Sequence, residues 1–415
     1  MVSTVHQTVD HLFRHEYGKM VAVLSKLLGL QHLQTAQDLV QDTLFQALNT
    51  WALNGLPDNP PAWLHRVARN KAIDFIRRNQ NFQRNIAPEY RYLLEAEKSS
   101  TPDLLFEDEG IQDSVLRMIF ACCHPAIPVE SQLALALKTL CGLSSPEIAR
   151  AFLTSEDTIT KRIYRAKEKI RIEGIQLELP ARGDITNRLN AVLHCLYLMF
   201  NEGYNSSHPS RLIREELCEE AIRLAYLLTQ NGSTDQPATN ALLALFCFQA
   251  SRLKARLDDK GNIILLQQQD RTLWYQPLIQ KGYYFLEKAT GEENSLYHLE
   301  AGIAYLHTAA PSFEETDWVA IHHLYTVLFH HHPSPFVALN KAIAALYAEG
   351  PAAALEDLRK IKDLEQYYLY HTALGEVHLK TGNKKLAHGH LKRALELTRS
   401  IAERQLILGK LKLCE

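Results

Sequence analysis

The stretch LSSPEIARAFLTSEDTITKRIYRAK, residues 143–167, predicts two short helices joined by a tight turn. Ser144 or Ser145 is placed to cap the first helix, and Pro146 suits its first turn because proline lacks the N–H that a helix leaves unpaired there. Ser155 is placed to cap the second helix. Two capped helices around so short a connection predict a helix-turn-helix.

The second helix of this motif is amphipathic. Ile159 and Ile163 lie on the face that packs against the first helix, since residues four apart share a helix face. The opposite face carries donors that suit base edges and phosphates in a DNA major groove; they are Thr158, Lys161, Arg162 and Arg165. A solvated basic face on an ordinary helical hairpin gives the same pattern, so the motif alone leaves DNA binding a hypothesis.

A second basic helix is predicted at residues 63–78, WLHRVARNKAIDFIRR. Beside its apolar stripe it carries donors that attract a phosphate backbone; these are Arg66, Arg69, Asn70, Arg77 and Arg78. The helix before it, AQDLVQDTLFQAL at residues 36–48, keeps Asp38, Gln41 and Asp42 on one polar side. A stiff loop with three prolines, residues 56–62, is predicted between the two helices.

Composition places the chain among globular proteins. It has 415 residues, a hydrophobic fraction of 46%, a charged fraction of 22% and a formal net charge of −2. Its seven cysteines are odd in number and irregularly spaced, which argues against a disulfide framework and for a reducing compartment. Neither a signal-peptide pattern nor a long apolar run is present, so we expect a cytoplasmic protein without a membrane span.

Apolar residues recur every three or four positions along almost the whole chain, which predicts an all-α protein. We divide it into residues 8–84, an acidic linker at 85–105, residues 106–175 and a long helical domain at 183–415. Near residues 300–400, Gly350 and Gly382 each stand between two predicted helices, 32 residues apart. This spacing is near the tetratricopeptide period, and stacked helix pairs of that kind build a curved surface for a partner.

The order of these motifs resembles one known family. The phrases DLVQD at 38–42, WLHRVARN at 63–70 and AIDF at 72–75 are similar to region 2 of extracytoplasmic-function RNA polymerase sigma factors, and the helix-turn-helix is similar to their region 4. The resemblance implies a region 2 helical bundle at 8–84 and a region 4 domain at 106–175.

The resemblance also implies partners, namely core RNA polymerase and promoter DNA. Positions that dock onto the clamp helices of the polymerase β′ subunit match Asp38, Gln41 and Asp42, and region 4 is expected on the β flap. Positions that grip and open the −10 promoter element match Arg66, Arg69, Asn70, Arg77 and Arg78, with loop 56–62 capturing a flipped base. Positions that read the −35 element match Thr158, Lys161, Arg162 and Arg165. The acidic linker is either a mimic of nucleic acid inside polymerase or a solvated tether.

The C-terminal half carries motifs of its own, among them LMFNEGY at 198–204, QQDRTLW at 268–274 and ALNKA at 338–342. They resemble the sigma subfamily with a C-terminal tetratricopeptide-like extension, which implies that this domain regulates the factor in place of a separate anti-sigma protein. The candidate residues are Asn201, Glu202, Asp270, Arg271 and Trp274. They either form a buried network or line a site for a ligand, an intramolecular contact or a protein partner.

No enzyme chemistry is predicted, and we expect neither a metal nor a cofactor. A phosphate-binding glycine loop and a Ser-His-Asp set are missing from the sequence, and CCH at 122–124 lacks zinc spacing. The histidines at 322–323 and 330–332 have no carboxylate or cysteine to complete a ligand set. Two rival interpretations stay open: a free-standing helix-turn-helix regulator with a ligand-sensing repeat domain, and a metalloenzyme that uses these histidines.

Overall fold

The computed structural model describes residues 2–78, 108–152, 154–181, 184–206, 212–291, 295–398 and 400–415. Over these residues the chain is helical and contains no strand beyond a single antiparallel bridge between Leu257 and Ile263, so the all-α prediction is confirmed. The linker predicted at 85–105 lies outside the described residues. The chain divides into two compact units, Met1–Met199 and Phe200–Glu415.

Helix α1 is the centre of the first unit. The helices described in this unit are α1 (Val2–Leu28), α2 (Leu33–Asn54), α3 (Pro60–Arg78), α4 (Asp108–Cys122), α5 (Val129–Thr139), α6 (Ser145–Ala151), α7 (Glu156–Ile172) and most of α8 (Ile185–Tyr204). Val21 and Leu24 of α1 are fully buried because α2, α3 and α4 all pack against this helix. The predicted regions 8–84 and 106–175 therefore share one core.

The first part of α8 completes this unit. Leu189 and Leu193 are buried, and the Arg188 Nη2 donates to the carbonyl oxygen of Phe120 in α4 at 2.8 Å. A truncation after residue 183 would therefore remove side chains that the core of the first unit contains.

A buried hydrogen bond joins α1 to α3. Glu16 and His65 are each 7% exposed, and the Glu16 Oε2 lies 3.0 Å from the His65 Nε2. Lys19 Nζ donates to the other carboxylate oxygen at 2.8 Å. Burial by itself raises the pKa of the Glu16 carboxyl, but the hydrogen bonds from His65 and Lys19 outweigh burial and lower this pKa from 4.5 to about 2.

We expect Glu16→Gln to lower the free energy of unfolding by roughly 2 kcal/mol, since it removes the charge that the hydrogen bonds from His65 and Lys19 stabilise. The folded carboxyl stays charged to a lower pH than the unfolded one. Its contribution to stability is therefore complete above about pH 4.5 and is lost as the pH falls toward 2. Denaturant unfolding of wild type and variant between pH 7 and pH 2 measures this contribution to stability. Asp74→Asn, at an exposed position of α3, is the control. If the wild type stayed more stable than the variant by the same amount down to pH 2, this would contradict the stabilising role of the Glu16 carboxylate.

Helix α10 is the centre of the second unit. Besides the end of α8, the helices described here are α9 (Glu215–Thr229), α10 (Pro237–Ala250), α11 (Gln276–Lys288), α12 (Leu296–Ala309), α13 (Trp318–His331), α14 (Pro335–Ala348), α15 (Pro351–Lys360), α16 (Tyr368–Lys380), α17 (Lys384–Leu397) and α18 (Ile401–Lys412). Leu242, Phe246 and Phe248 of α10 are fully buried, and Phe246 stacks on Phe200 with ring centres 4.2 Å apart. Since α10 is apolar on every side, α11 and α12 pack directly onto it.

Successive helix pairs build the rest of the second unit. Gly350 lies between α14 and α15 with φ 101°, and Gly382 lies between α16 and α17 with φ 75°. Both values fall in the left-handed region, where glycine has no steric penalty. The predicted pattern of helix, glycine turn and helix is thus present at both positions. Its identity with a tetratricopeptide repeat stays a prediction.

Candidate polymerase and nucleic-acid interfaces

The polar side of α2 is exposed as a continuous face. Asp38, Gln41 and Asp42 are all exposed, and their spacing places them on one side of the helix. Gln34 Nε2 donates to Asp38 Oδ1 at 2.7 Å. Phe45, one turn further along this face, is 66% exposed, and an aromatic ring among polar groups suits a protein partner. Phe45 was not among the residues predicted for this face, although its spacing of three from Asp42 was a signal.

The basic side of α3 is turned away from the core of the first unit. Its buried side is made of Leu64, Ala68, Ala72, Ile73 and Ile76. Four of the predicted DNA-binding residues are exposed and one is half-buried; they are Arg66, Asn70, Arg77 and Arg78, with Arg69 half-buried. At about 100° per residue, Arg78 lies about 120° round the helix from Arg66, while the other four share a stripe about 100° wide. The structure therefore brings four of the five together.

The loop before α3 is shorter than predicted. Helix α3 begins at Pro60, so Pro60 and Pro61 form its first turn and the connection shrinks to residues 55–59. Asn59 Oδ1 accepts from the Ala62 N–H at 3.1 Å, which caps the helix. The interpretation of 56–62 as a stiff loop is therefore wrong at its last three residues. Proline fits the first turn of a helix as well as a loop, and the Asn59 cap selects the helix.

Helices α6 and α7 lie where the helix-turn-helix was predicted. Ser144 Oγ accepts from the Glu147 N–H at 3.3 Å, and Glu147 Oε2 accepts from the Ser144 N–H at 2.7 Å, which is a capping box. Of the two serines that were predicted as caps, the first one therefore caps α6. Ser155 Oγ accepts from the Thr158 N–H at 3.1 Å and caps α7, as predicted. The Thr158 hydroxyl is also bonded to Ser155, at 2.8 Å.

The outer face of α7 keeps most of its cations in surface ion pairs. Lys161 Nζ lies 2.6 Å from Asp157 Oδ2, and Arg162 Nη2 contacts Glu130 Oε2 of α5. Arg165 is exposed and makes no ion pair with any residue that the structure describes. Exposed ion pairs contribute only about 0–1 kcal/mol, so a phosphate or a base edge can replace the carboxylates at little cost.

Helix α7 also contacts α2. Lys167 Nζ donates to Gln34 Oε1 and to Gln37 Oε1, both at 2.6 Å. Burial, together with the charge of Lys138, lowers the pKa of Lys167 to about 8, although the charge of Asp38 opposes both effects. The helix predicted to read DNA therefore lies against the start of the helix predicted to dock onto polymerase.

Two further contacts hold the predicted regions 2 and 4 together. Lys26 Nζ of α1 lies 2.6 Å from Asp113 Oδ2 of α4. Gly18 of α1 lies against the end of α5, where a Cβ on this residue would be 2.0 Å from the carbonyl oxygen of Leu140. Backbones approach this closely only where glycine removes the side chain. This packing was not predicted from the sequence.

The candidates at the start of the second unit lie in the last turns of α8. Asn201 is half-buried and Glu202 is buried. Ser206 Oγ donates to Glu202 Oε1 at 2.8 Å, so this carboxylate has a hydrogen-bond partner close by in sequence. This contact fits the structural alternative for Glu202.

The other three candidates separate in space. Asp270 is exposed, and its Oδ1 accepts from the Thr272 N–H at 2.9 Å, which caps a short 3-10 helix. Arg271 Cζ lies 4.5 Å from the ring centre of Trp274, whose side chain is only 3% exposed. The structure therefore brings Arg271 and Trp274 together and leaves Asp270 at the surface.

Among the residues that the structure describes, no group of three or more His, Cys, Asp or Glu side chains is arranged to hold a metal ion. Cys122 and Cys123 are buried, and His322 Nδ1 lies 3.0 Å from Glu349 Oε1. No helix in the described part of the chain combines the length and the apolar character that crossing a bilayer requires.

Comparison with protein families assigns three parts of the chain. Residues 12–82 match Sigma-70 region 2, and residues 117–170 match Sigma-70, region 4. Residues 188–290 match a family of unknown function. The first sigma match covers α2, α3 and most of α1, and the second covers α5, α6, most of α7 and the end of α4, in the predicted order.

Curated relatives extend the comparison. The uncharacterized protein R00370 of Rhizobium meliloti is 38% identical over 376 residues, which is 90% of this chain and 88% of the relative. The ECF RNA polymerase sigma factor SigE of Mycolicibacterium smegmatis is 26% identical over 162 residues, 39% of this chain and 60% of that protein. The RNA polymerase sigma factor YlaC of Bacillus subtilis is 23% identical over 167 residues, 40% of this chain and 90% of that protein. No solved structure matches the chain.

Proposed function

Because this chain belongs to the extracytoplasmic-function sigma factors of the sigma-70 family, we propose that it binds core RNA polymerase and directs transcription from particular promoters. Sigma factors are initiation factors without catalysis of their own, so we assign no reaction to the chain. The observation that carries the proposal is the pairing of two motifs in the family's order. One is an exposed polar face on α2, and the other is a doubly capped helix-turn-helix.

The exposed face of α2 supports polymerase binding. Asp38, Gln41 and Asp42 offer carboxylate and amide groups to a basic partner surface, and Phe45 adds an apolar anchor. A free-standing helix-turn-helix regulator does not need a face that docks onto polymerase. We assign it to the clamp helices of the β′ subunit, and we expect region 4 to contact the β flap.

The two basic helices support promoter recognition. The cationic stripe of α3 is assigned to the −10 element, where one strand is held open, and α7 is assigned to the major groove of the −35 element. In α7, Arg165 is exposed. Lys161 and Arg162 form surface ion pairs in which phosphates can replace the carboxylates.

Simultaneous contact with both elements requires the first unit to open. Elements at −10 and −35 are centred about 25 base pairs apart, which is about 85 Å of B-form DNA. A compact unit of about 200 residues is roughly 40 Å across. With Lys167 resting on Gln34 and Gln37, α7 cannot reach one element while α3 holds the other. We propose that polymerase binding separates the two regions.

We propose that the second unit regulates this factor, as the resemblance of its motifs implies. Its stacked helix pairs provide an extended surface for a partner. Run-off transcription with core polymerase, comparing the full chain with a chain that ends after α8, would show whether the unit activates or restrains. Ending after Tyr204 keeps α8 whole, and with it the buried residues that it contributes to the first unit.

Changing Asp38 and Gln41 to Ala together is expected to weaken capture of core polymerase by at least about tenfold, the equivalent of roughly 1.4 kcal/mol. Both side chains are exposed, so the melting temperature of the protein is expected to change little. Pull-down with purified core enzyme measures capture. Asp74→Ala, at an exposed position of α3, is a control with the same change of charge. Undiminished capture by the double variant would refute the docking assignment.

A further inference from the structure

A group of arginines in the second unit has no acidic partner. Arg252 and Arg271 both lie over the ring of Trp274, with their Cζ atoms 5.1 Å and 4.5 Å from its centre. Arg256 lies over the ring of Tyr204 at 3.8 Å. Among the residues that the structure describes, none of the three arginines makes an ion pair. Three guanidinium groups so placed repel one another unless an anion joins them.

Polar side-chain atoms next to the arginines lack a partner among the residues that the structure describes. They are Trp274 Nε1, in a residue that is 3% exposed, Arg271 Nη2 and His307 Nδ1. Arg271 connects these residues, because its Cζ lies over the Trp274 ring and its Nη1 donates to the carbonyl oxygens of His307 and Ala310 at 2.8 and 2.7 Å. Because native interiors satisfy nearly all buried polar atoms, three such atoms on neighbouring residues favour a bound group.

The electrostatic potential at this place is positive. Burial, together with the charges of Arg252 and Arg271, lowers the pKa of His307 to about 3, so the ring is neutral at pH 7. Burial and Arg252 also lower the pKa of Arg271, and the charge of Glu314 opposes them. Asp270, the acidic neighbour in the chain, is exposed and occupied in capping. Among the described residues, Arg252 and Arg271 therefore have no ion-pair partner that balances their charge.

We propose that Arg252, Arg271 and the indole N–H of Trp274 form a binding site for a phosphate-type oxyanion, either the free ion or the phosphate of an ester. Both guanidinium groups lie over the indole, Arg271 Nη2 has no partner among the described residues, and the bonds of Arg252 to Gln269 are long, so both groups can donate to the oxygens of a phosphate. The indole N–H is a donor only, and the neutral imidazole of His307 can supply a further donor. A water molecule would complete these hydrogen bonds but would not balance the charge.

The test is isothermal titration of inorganic phosphate into the full-length protein at constant ionic strength in chloride. We expect saturable binding with one site. Trp274→Phe keeps the ring beneath the arginines and removes the N–H, so binding should weaken at least tenfold. Arg252→Gln should do the same with little harm to the fold, because the bonds of Arg252 to Gln269 are long, at 3.3 and 3.4 Å. Arg223→Gln, which removes an arginine paired with Glu220, is the control and should bind as wild type.

A second titration with adenosine monophosphate separates the two sources of the anion. Tighter binding of this ester assigns the site to a phosphate ester, and tighter binding of inorganic phosphate assigns it to the free ion. The proposal is overturned if neither probe saturates, or if both substitutions leave binding unchanged, since phosphate would then be held by the basic faces of α3 and α7. Circular dichroism checks folding, and Arg252→Lys replaces Arg252→Gln if the latter does not fold. The titration needs neither polymerase nor promoter, so it is independent of the proposed function.

Discussion

Changing Arg162 and Arg165 to Ala together is expected to reduce promoter-specific transcription about 100-fold or more, with capture of core polymerase unchanged. A side chain that pairs with a base edge contributes about 1–3 kcal/mol of discrimination, and every 1.4 kcal/mol is about tenfold in affinity. Arg165 is exposed, and Arg162 is held in a surface pair with Glu130 that contributes little to stability. We therefore attribute the expected loss of transcription to weaker DNA recognition by a protein whose fold is intact.

Run-off transcription from a promoter that the wild type uses measures this loss, beside pull-down of core polymerase. The matched control removes the same charge from the far end of α7 by changing Lys169 and Arg171 to Ala. There the two cations pair with Glu173 and Glu168 at 3.2 and 3.1 Å. We expect the control to lose only part of the salt-dependent attraction to phosphate. Equal loss of transcription and of polymerase capture in the first variant would mean a damaged fold.

Gly18→Ala is expected to open the contact between regions 2 and 4 and to increase the rate of polymerase capture several-fold. The new Cβ would lie 2.0 Å from the carbonyl oxygen of Leu140, and a backbone atom cannot rotate away as the end of a side chain can. Alanine is about 1 kcal/mol better than glycine in a helix, so α1 itself is not weakened. The strain falls on the packing of α1 against the end of α5, where overpacking costs about 1–3 kcal/mol.

Hydrogen exchange measures this opening directly. We expect faster amide exchange in α5 and in the facing turn of α1, with protection retained in α2 and α3. Gly389→Ala and Gly409→Ala are controls in helices of the second unit, because a Cβ at either position meets nothing within 4 Å. Unchanged exchange around Leu140, or slower capture of polymerase by a variant of normal helix content, would contradict the closed arrangement.

Caps and helix faces could be predicted because they depend on residues no more than four positions apart. Ser155 caps α7 as expected, and Asp38 and Arg66 are exposed as their spacing required. Phe45 was missed because an aromatic residue at helical spacing usually belongs to a core. The start of α3 was misplaced because a proline pair fits a loop or a first turn equally well, and only the Asn59 hydrogen bond distinguishes them.

Spacing along the chain alone predicted the all-α class. It also predicted the order of the two DNA-binding motifs and the glycine turns of the C-terminal helix pairs. The packing of helices was needed to place Lys167 on Gln34, 133 residues away in sequence, and to bring Arg252 and Arg271 over the same ring. Local periodicity says which face of a helix is buried but not which helix covers it, since that choice depends on surfaces far apart in the chain. For this reason the closed contact between regions 2 and 4 and the arginine site became visible only in three dimensions.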